Sequence, residues 1–385
     1  MNVDADLIEL MKKIYKNVDH SIGYPVCQYP NMSGFGEWYT KTGLCDIAIN
    51  NVGNPYDEEQ YRLSSVGIEQ EVIRTVAPWY GIPSGKEWGF ITNSGTDGNM
   101  HGIYYGAKKL QKETGMLPIV YVSKEAHYSS FRLCDVQNLE ARLIDYDEQG
   151  SMDPEALRKA IDPSRPALVI LAIGSTFMGA TDNQAAIAEV LDDVKPVAVY
   201  RHLDAALFGG YFPFTEYKDI VSMEGQGYDS IAVSGHKFFG IDEPCGLFLS
   251  RKDVLEAQQA YKVDYLNNSM PLISCSRNGL TPLKFYWVLK YIGFDGLSKQ
   301  AQSMLENTKY LQQRLDEIGY PAWHMPYSNT VFFKRPSEQI RKKYMLAQGF
   351  LPQYGGELSH IVVMQHVGKD IIDEFIADLT NKTEG

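Results

Sequence analysis

An α/β fold built on a mostly parallel central sheet flanked by helices, with a smaller C-terminal α+β domain, is what this sequence predicts. Three observations predict it. Short apolar runs alternate with amphipathic stretches from residue 88 to residue 249. The runs are short, continuous and rich in Val, Ile, Leu and Ala, as strands covered on both faces read. The stretches between them carry apolar residues at helical spacing, the pattern of crossovers joining parallel strands.

Taken in order, residues 1–60 are irregular, rich in Gly, Asn, Pro and Tyr, and include Asn50-Asn51-Val52-Gly53-Asn54-Pro55-Tyr56. Such a segment wraps a neighbour or lines a site. Its first 13 residues mix acidic and apolar residues at helical spacing without a basic leader and apolar run, so no signal peptide is expected. Strands are expected at residues 88–92, 118–123, 139–144, 167–173, 197–203, 230–234 and 245–249, and helices at 98–112, 154–161 and 184–194. Residues 282–318 read as helical with a break at Gly293-Phe294-Asp295-Gly296. Strands at 330–334 and 360–365 and a helix at 369–379 follow. The expected division is an N-terminal segment 1–60, a large domain 61–281 and a small domain 282–385.

The bulk properties exclude several classes. With 385 residues and 44% hydrophobic content the chain can bury a large core. A net charge of -12 disfavours a nucleic-acid partner, whose phosphates call for a basic face. Cys27, Cys45, Cys134, Cys245 and Cys275 are scattered, odd in number and lack Cys-x-x-Cys spacing. That argues against a disulfide framework or a metal site and for a reducing cytoplasm. No stretch approaches the roughly 20 apolar residues that cross a bilayer, so no membrane insertion is expected.

Four segments stand at expected strand ends, where open α/β sheets collect ligands. Ser94-Gly95-Thr96 begins a helix, and its small residues let backbone N–H groups reach a phosphate, or simply cap the helix. His127, in Ala126-His127-Tyr128-Ser129-Ser130, offers a flat ring for stacking, or is a satisfied polar residue. Asp204, in His202-Leu203-Asp204-Ala205-Ala206, is costly to bury without a cation such as a protonated pyridine nitrogen. Its alternatives are capping the next turn or pairing with Arg201. Lys237, in Ser234-Gly235-His236-Lys237-Phe238-Phe239-Gly240, loses ammonium solvation at a buried strand end, which makes its amine nucleophilic toward an aldehyde. Ser234 and His236 beside it suit a phosphate.

The order of phosphate turn, stacking His, buried acid and lysine resembles the fold-type-I pyridoxal phosphate enzymes, and more closely the group II amino-acid decarboxylases, including bacterial histidine decarboxylases and plant serine decarboxylase-like proteins. Gly174-Ser175-Thr176, Gly179-Ala180-Thr181-Asp182, Pro244-Cys245-Gly246 and Ser276-Arg277-Asn278-Gly279 extend the similarity. The resemblance implies a pyridoxal 5'-phosphate cofactor held as a Schiff base on Lys237. Asp204 then pairs with the ring nitrogen, His127 stacks on one ring face, and Ala206 packs on the other. Ser94, Gly95, Thr96, Ser234 and His236 hold the phosphate, and Thr176 lies on the O3′ side. It further implies decarboxylation of an L-amino acid, histidine or a relative, and a homodimer with shared sites, in which residues 274–277 or 50–56 approach the partner's cofactor. Tyr261 or Tyr265 is a candidate proton donor.

Three features depart from the histidine decarboxylase pattern: Ile241-Asp242-Glu243 after the lysine, Leu280 where a His is expected, and Arg201 before His202. The two acids bear on substrate choice or loop position. Decarboxylation coupled to oxidative deamination, transamination, and a non-catalytic cofactor-binding protein remain as alternatives.

Overall fold

The computed structural model describes residues 5–57, 61–256, 261–263 and 268–381. The first described element, α1 (Ala5–Tyr15), buries none of its residues. The chain divides into two compact units, the larger made of Pro30–Thr176 and Ala180–Lys299 and the smaller of the remaining described chain.

In the larger unit β1 (Glu87–Thr92), α2 (Gly95–Thr114), β2 (Ile119–Ser123), α3 (Tyr128–Val136), β3 (Ala141–Ile144), α4 (Pro154–Ala160) and β4 (Ala167–Ala172) succeed one another. Next come α5 (Gln184–Val194), β5 (Val199–Asp204), β6 (Ser230–Ser234), β7 (Gly246–Arg251) and α6 (Leu280–Tyr291). The seven strands form one sheet in the order β1-β7-β6-β5-β4-β2-β3. β3, β2, β4, β5 and β6 pair in parallel, whereas β7 runs antiparallel to both β6 and β1. Six strands therefore end at one edge of the sheet, the edge at which ligands of such folds bind. Register aligns Thr92 and Ser234 on either side of Gly246, and Asp204 between Ala172 and Ala232. The expected strands all form, and β1, β4 and β6 are buried along their whole length, which is why they read as unbroken apolar runs.

Helix α2 lies unusually close to this sheet. A side chain at Gly102 would collide with the His202 ring, while one at Gly98 would come 2.9 Å from the Ala232 side chain and one at Gly106 2.6 Å from the Tyr200 ring. Glycine at spacings of four residues presents one bare stripe on a helix, and this stripe lets the helix start descend onto β5 and β6. The core on this side joins Trp88, Phe90, Ile103, Tyr105, Leu110, Val120, Leu168, Ile170, Tyr200 and Phe248. Each such side chain contributes about 1.5–3 kcal/mol on burial.

The helix α7 (Gly293–Glu317) is parted from α6 at Ile292, and its first residue, Gly293, has a φ of +66° that breaks the helical run where the sequence places an interruption. The smaller unit holds β8 (Ala322–His324), β9 (Thr330–Lys334), β10 (Ala347–Leu351), β11 (Gly356–Val362) and α8 (Lys369–Thr380). The four strands form an antiparallel sheet in the order β8-β9-β11-β10.

Three details differ from expectation. The strand expected at 360–365 starts earlier, because β11 pairs with both neighbours from its first residues. β8 and β10 are additional: one has three residues and the other alternates exposed positions, so neither makes an apolar run. Residues 1–60 are not wholly irregular, since they contain α1, a helix Phe35–Lys41 and a strand Asn50–Val52 paired with Ser276–Asn278. Among the described residues no helix is long and apolar enough to cross a membrane.

Candidate active site

The turn after β1 is built as an anion seat. Ser94 caps α2, its hydroxyl accepting the Asp97 N–H at 3.1 Å. The first backbone bond of the helix runs from Gly98 N–H to Ser94 O. The N–H groups of Gly95 and Thr96 thus belong to the set that a helix leaves for an outside acceptor, at the positive end of its dipole. A side chain at Gly95 would run into Ser234 Oγ and approach the Ala206 methyl to 3.7 Å. The backbone of Ser234 donates to Ala206 O at 3.0 Å. The structure therefore brings Ser94, Gly95, Ala206 and Ser234 together, although they lie on three strand ends. Thr96 is exposed beside them.

Asp204 closes β5 as a buried carboxylate. Its capping contact is weak, a 3.4 Å bond from Ala206 N–H, and no ion pair engages it among the described residues. Arg201 is three residues away along a strand and so projects from the opposite face. It donates to Gly227 O and feels Asp229 instead. Below Asp204, His202 sits between Asn99 Oδ1 at 3.0 Å and Ser230 Oγ at 2.8 Å. Burial pushes its pKa down to about 4, so it is a neutral packing residue. Tyr200 completes the row by donating to the same Ser230 hydroxyl at 2.8 Å.

Lys237 rides on a closed loop after β6. Gly235 N–H bonds Cys245 O at 2.8 Å, Gly240 N–H bonds Lys237 O at 3.1 Å, and Asn31 N–H bonds Gly240 O at 2.7 Å. Gly240 adopts φ +65°, a conformation costly for other residues. Burial pushes the Lys237 ammonium below its ordinary range, and Asp204 pulls it partly back. Its amine makes no hydrogen bond or ion pair among the described residues. His127 caps α3, with Nδ1 2.7 Å from Ser129 Oγ and 3.3 Å from Ser129 N. Burial lowers its pKa, Asp204 raises it and Lys237 lowers it, so the three groups share one electrostatic neighbourhood. His236 turns Nδ1 toward the Cys245 backbone, 3.1 Å from its oxygen and 3.3 Å from its nitrogen, which leaves Nε2 for an anion.

Thr176 is exposed in the turn after β4 and makes no hydrogen bond to the other site residues. Tyr265 and the side chain of Tyr261 lie outside the described residues. Sequence reasoning missed a supporting set. Asp97 accepts from Asn93 N–H at 2.9 Å and from the Ser274 hydroxyl at 2.9 Å, and His101 Nδ1 lies 2.8 Å from Asp97 O. Buried Arg277 pairs with Glu69 at 2.8 Å and donates to Gly53 O at 3.0 Å, so it is engaged within its own chain. Asp182 takes the N–H groups of Met152 and Ala172, both at 2.7 Å, and burial pushes its carboxyl up to about 7. Of these, Arg277 and Asp182 lie inside segments that carry the family resemblance, which gave them no role. No cluster of three or more metal-ligating side chains occurs among the described residues.

A buried carboxylate without an ion pair and a desolvated amine without a hydrogen bond among the described residues, with a helix start open to an anion, suit the three ends of pyridoxal phosphate: ring nitrogen, aldehyde and phosphate. The fold and these residues define a fold-type-I pyridoxal phosphate-dependent carboxy-lyase acting on an amino acid. The chain belongs to the pyridoxal-dependent decarboxylase family, whose conserved domain matches residues 104–326. It is 34% identical over 359 residues to histidine decarboxylase of Vibrio anguillarum, covering 91% of this chain and 89% of that one. Identity to serine decarboxylase 1 of Oryza sativa subsp. japonica is 32% over 383 residues, 98% of this chain and 76% of that one. The crystal structure of L-methionine decarboxylase from Streptomyces sp. 590 shares the fold, with a TM-score of 0.83 at 20% identity over 98% of this chain and 96% of that one.

Proposed function

We propose that the protein converts L-histidine, or a closely related L-amino acid, to its amine and carbon dioxide. The similarity to histidine decarboxylases across nine-tenths of the chain carries the substrate assignment. L-serine is the second reading, favoured by the 98% coverage in the match to the serine enzyme. Bound pyridoxal phosphate supplies an electron sink for the pair of electrons left when carbon dioxide departs.

The chain's own residues prepare for that. Lys237, whose ammonium is destabilised by burial, would hold the cofactor, and Asp204 would favour a proton on the ring nitrogen. His127 would stack on the ring and Ala206 would pack against it. The Gly95 and Thr96 N–H groups, with Ser94, Ser234 and His236, would bind the phosphate, and Thr176 would serve the O3′ side. In this reading residues 61–281 bind the cofactor, 282–385 form the small domain and 1–60 the N-terminal segment. Assay of a panel of L-amino acids for carbon dioxide and amine tests the assignment. Histidine is expected to have the highest kcat/KM, serine in its place supports the second reading, and an aldehyde with ammonia and oxygen uptake would overturn simple decarboxylation.

The protein is also proposed to act as a cytoplasmic homodimer. Leu7, Leu10, Met11 and Ile14 form an exposed apolar stripe on α1, and Asp6 and Glu9 precede Lys12 and Lys13 along it. An antiparallel copy of the same helix would cover the stripe and set acids against lysines. Light scattering is expected to give twice the chain mass of 43.4 kDa; a fully active monomer would refute the dimer.

A further inference from the structure

The two acids that follow the lysine loop are taken up by a single buried lysine on another element. Lys284 of α6 sits 2.7 Å from Asp242 Oδ1 and 3.1 Å from Glu243 Oε2. Its side chain is 8% exposed, against 45% for Asp242 and 26% for Glu243. Thr281, one helical turn earlier, donates to Glu243 Oε1 at 2.8 Å, and Asn278 reaches the same oxygen at 3.4 Å. The next residue on α6, Phe285, packs against Phe239 at 5.8 Å between ring centroids and fills the space that a side chain at Gly235 would need. Loss of the carboxylates would be the costly break, since Lys284 would stay desolvated and unpaired, whereas the two acids are partly exposed.

The geometry of the loop gives this cluster a purpose. The segment from Gly235 to Cys245 is closed at its neck by the Gly235–Cys245 bond and by His236 against Cys245, and Lys237 stands on the near side of the loop. The far side carries Asp242 and Glu243. Asn31 holds one flank through Gly240 O and Phe239 O, and α6 holds the other. The acids thus point to Lys284, Thr281 and Asn278, which favours the loop-position reading of Asp242 and Glu243 over substrate selection.

We propose that Lys284 is a positioning residue that acts through Asp242 and Glu243 to fix the loop presenting Lys237. The proposal rests on Lys237 being the cofactor lysine. Lys284→Met keeps the stem and removes the charge, Lys284→Arg keeps the charge, and Thr281→Val removes only one hydroxyl and serves if Lys284→Met does not fold. Borohydride reduction of the holoenzymes followed by peptide mapping first locates the cofactor lysine: label on another lysine sinks the Lys237 reading itself. With label on Lys237, Lys284→Met is expected to lower kcat about ten-fold with less than two-fold change in KM, a misplacement effect within the ~10²-fold range. Its Schiff-base absorbance should titrate at a pH displaced from wild type, and amides 236–245 of the apoprotein should exchange hydrogen faster. Lys284→Arg should restore kcat to within about three-fold, and Thr281→Val should shift the same titration in the same direction by less. Wild-type kcat, titration and exchange in Lys284→Met would overturn the proposal, as would unchanged titration in Thr281→Val if that variant has to decide it. Failure of Lys284→Arg to recover would overturn it too, since it would assign the loss to packing alone.

Discussion

Replacing Lys237 with alanine is expected to abolish turnover, a loss on the order of 10⁴- to 10⁶-fold in kcat typical of removing a covalent catalytic group. The reducible Schiff-base absorbance should vanish with it. Two properties of the wild-type residue underlie the size of the effect. Burial holds its ammonium below the ordinary range, so more of it is free amine at neutral pH than for a surface lysine. The closed loop from Gly235 to Cys245 fixes where that amine stands. Cofactor binding itself should survive in part, because Ser234, the start of α2 and Asp204 are untouched. Retention of both turnover and the reducible absorbance in the alanine variant would sink the assignment.

Asp204→Asn is expected to cost on the order of 10²–10³-fold in kcat, the scale seen when a preorganised electrostatic partner is removed. The amide preserves shape and leaves Lys237 in place, so the Schiff base should still form and reduce. What is lost is the negative charge that holds a proton on the ring nitrogen. The sign of the accompanying titrations follows from the wild-type interactions. Asp204 raises the pKa of both Lys237 and His127; without it both should titrate at lower pH in the apoprotein, His127 observable by its ring proton resonances. A variant with kcat within a few-fold of wild type, or a His127 titration that moves upward, would exclude the role given to Asp204.

Much of this was legible in the sequence because local chemistry decided it. β1, β4 and β6 are buried on both faces and read directly as apolar runs; Ser234 and Lys237 stand at the end of one of them, and Asp204 closes β5, which is buried only toward its end. The Gly293 break between α6 and α7 was visible because a positive φ selects glycine. The reversal of β7 was not visible, since a buried strand looks the same in either direction. Nor were the short strands of the smaller sheet, whose pairing depends on neighbours and not on their own pattern. In the site, the contacts that hold the turn and the loop join residues far apart in the chain: Asp97 to Ser274 across 177 positions and Lys284 to Asp242 across 42. Side-chain partners at such separation leave no periodic trace.

The bare stripe on α2 links two demands that chemistry alone would keep separate. The height of the helix above the sheet sets where its first N–H groups stand, and so where a phosphate rests. The same height presses Gly102 onto His202, two residues before Asp204. Phosphate seat and ring-nitrogen acid therefore share one mechanical datum. The tolerance between them is inherited from three missing side chains, at Gly98, Gly102 and Gly106, and does not have to be tuned at each end, so a bulkier residue anywhere along that stripe should disturb both ends in a correlated way.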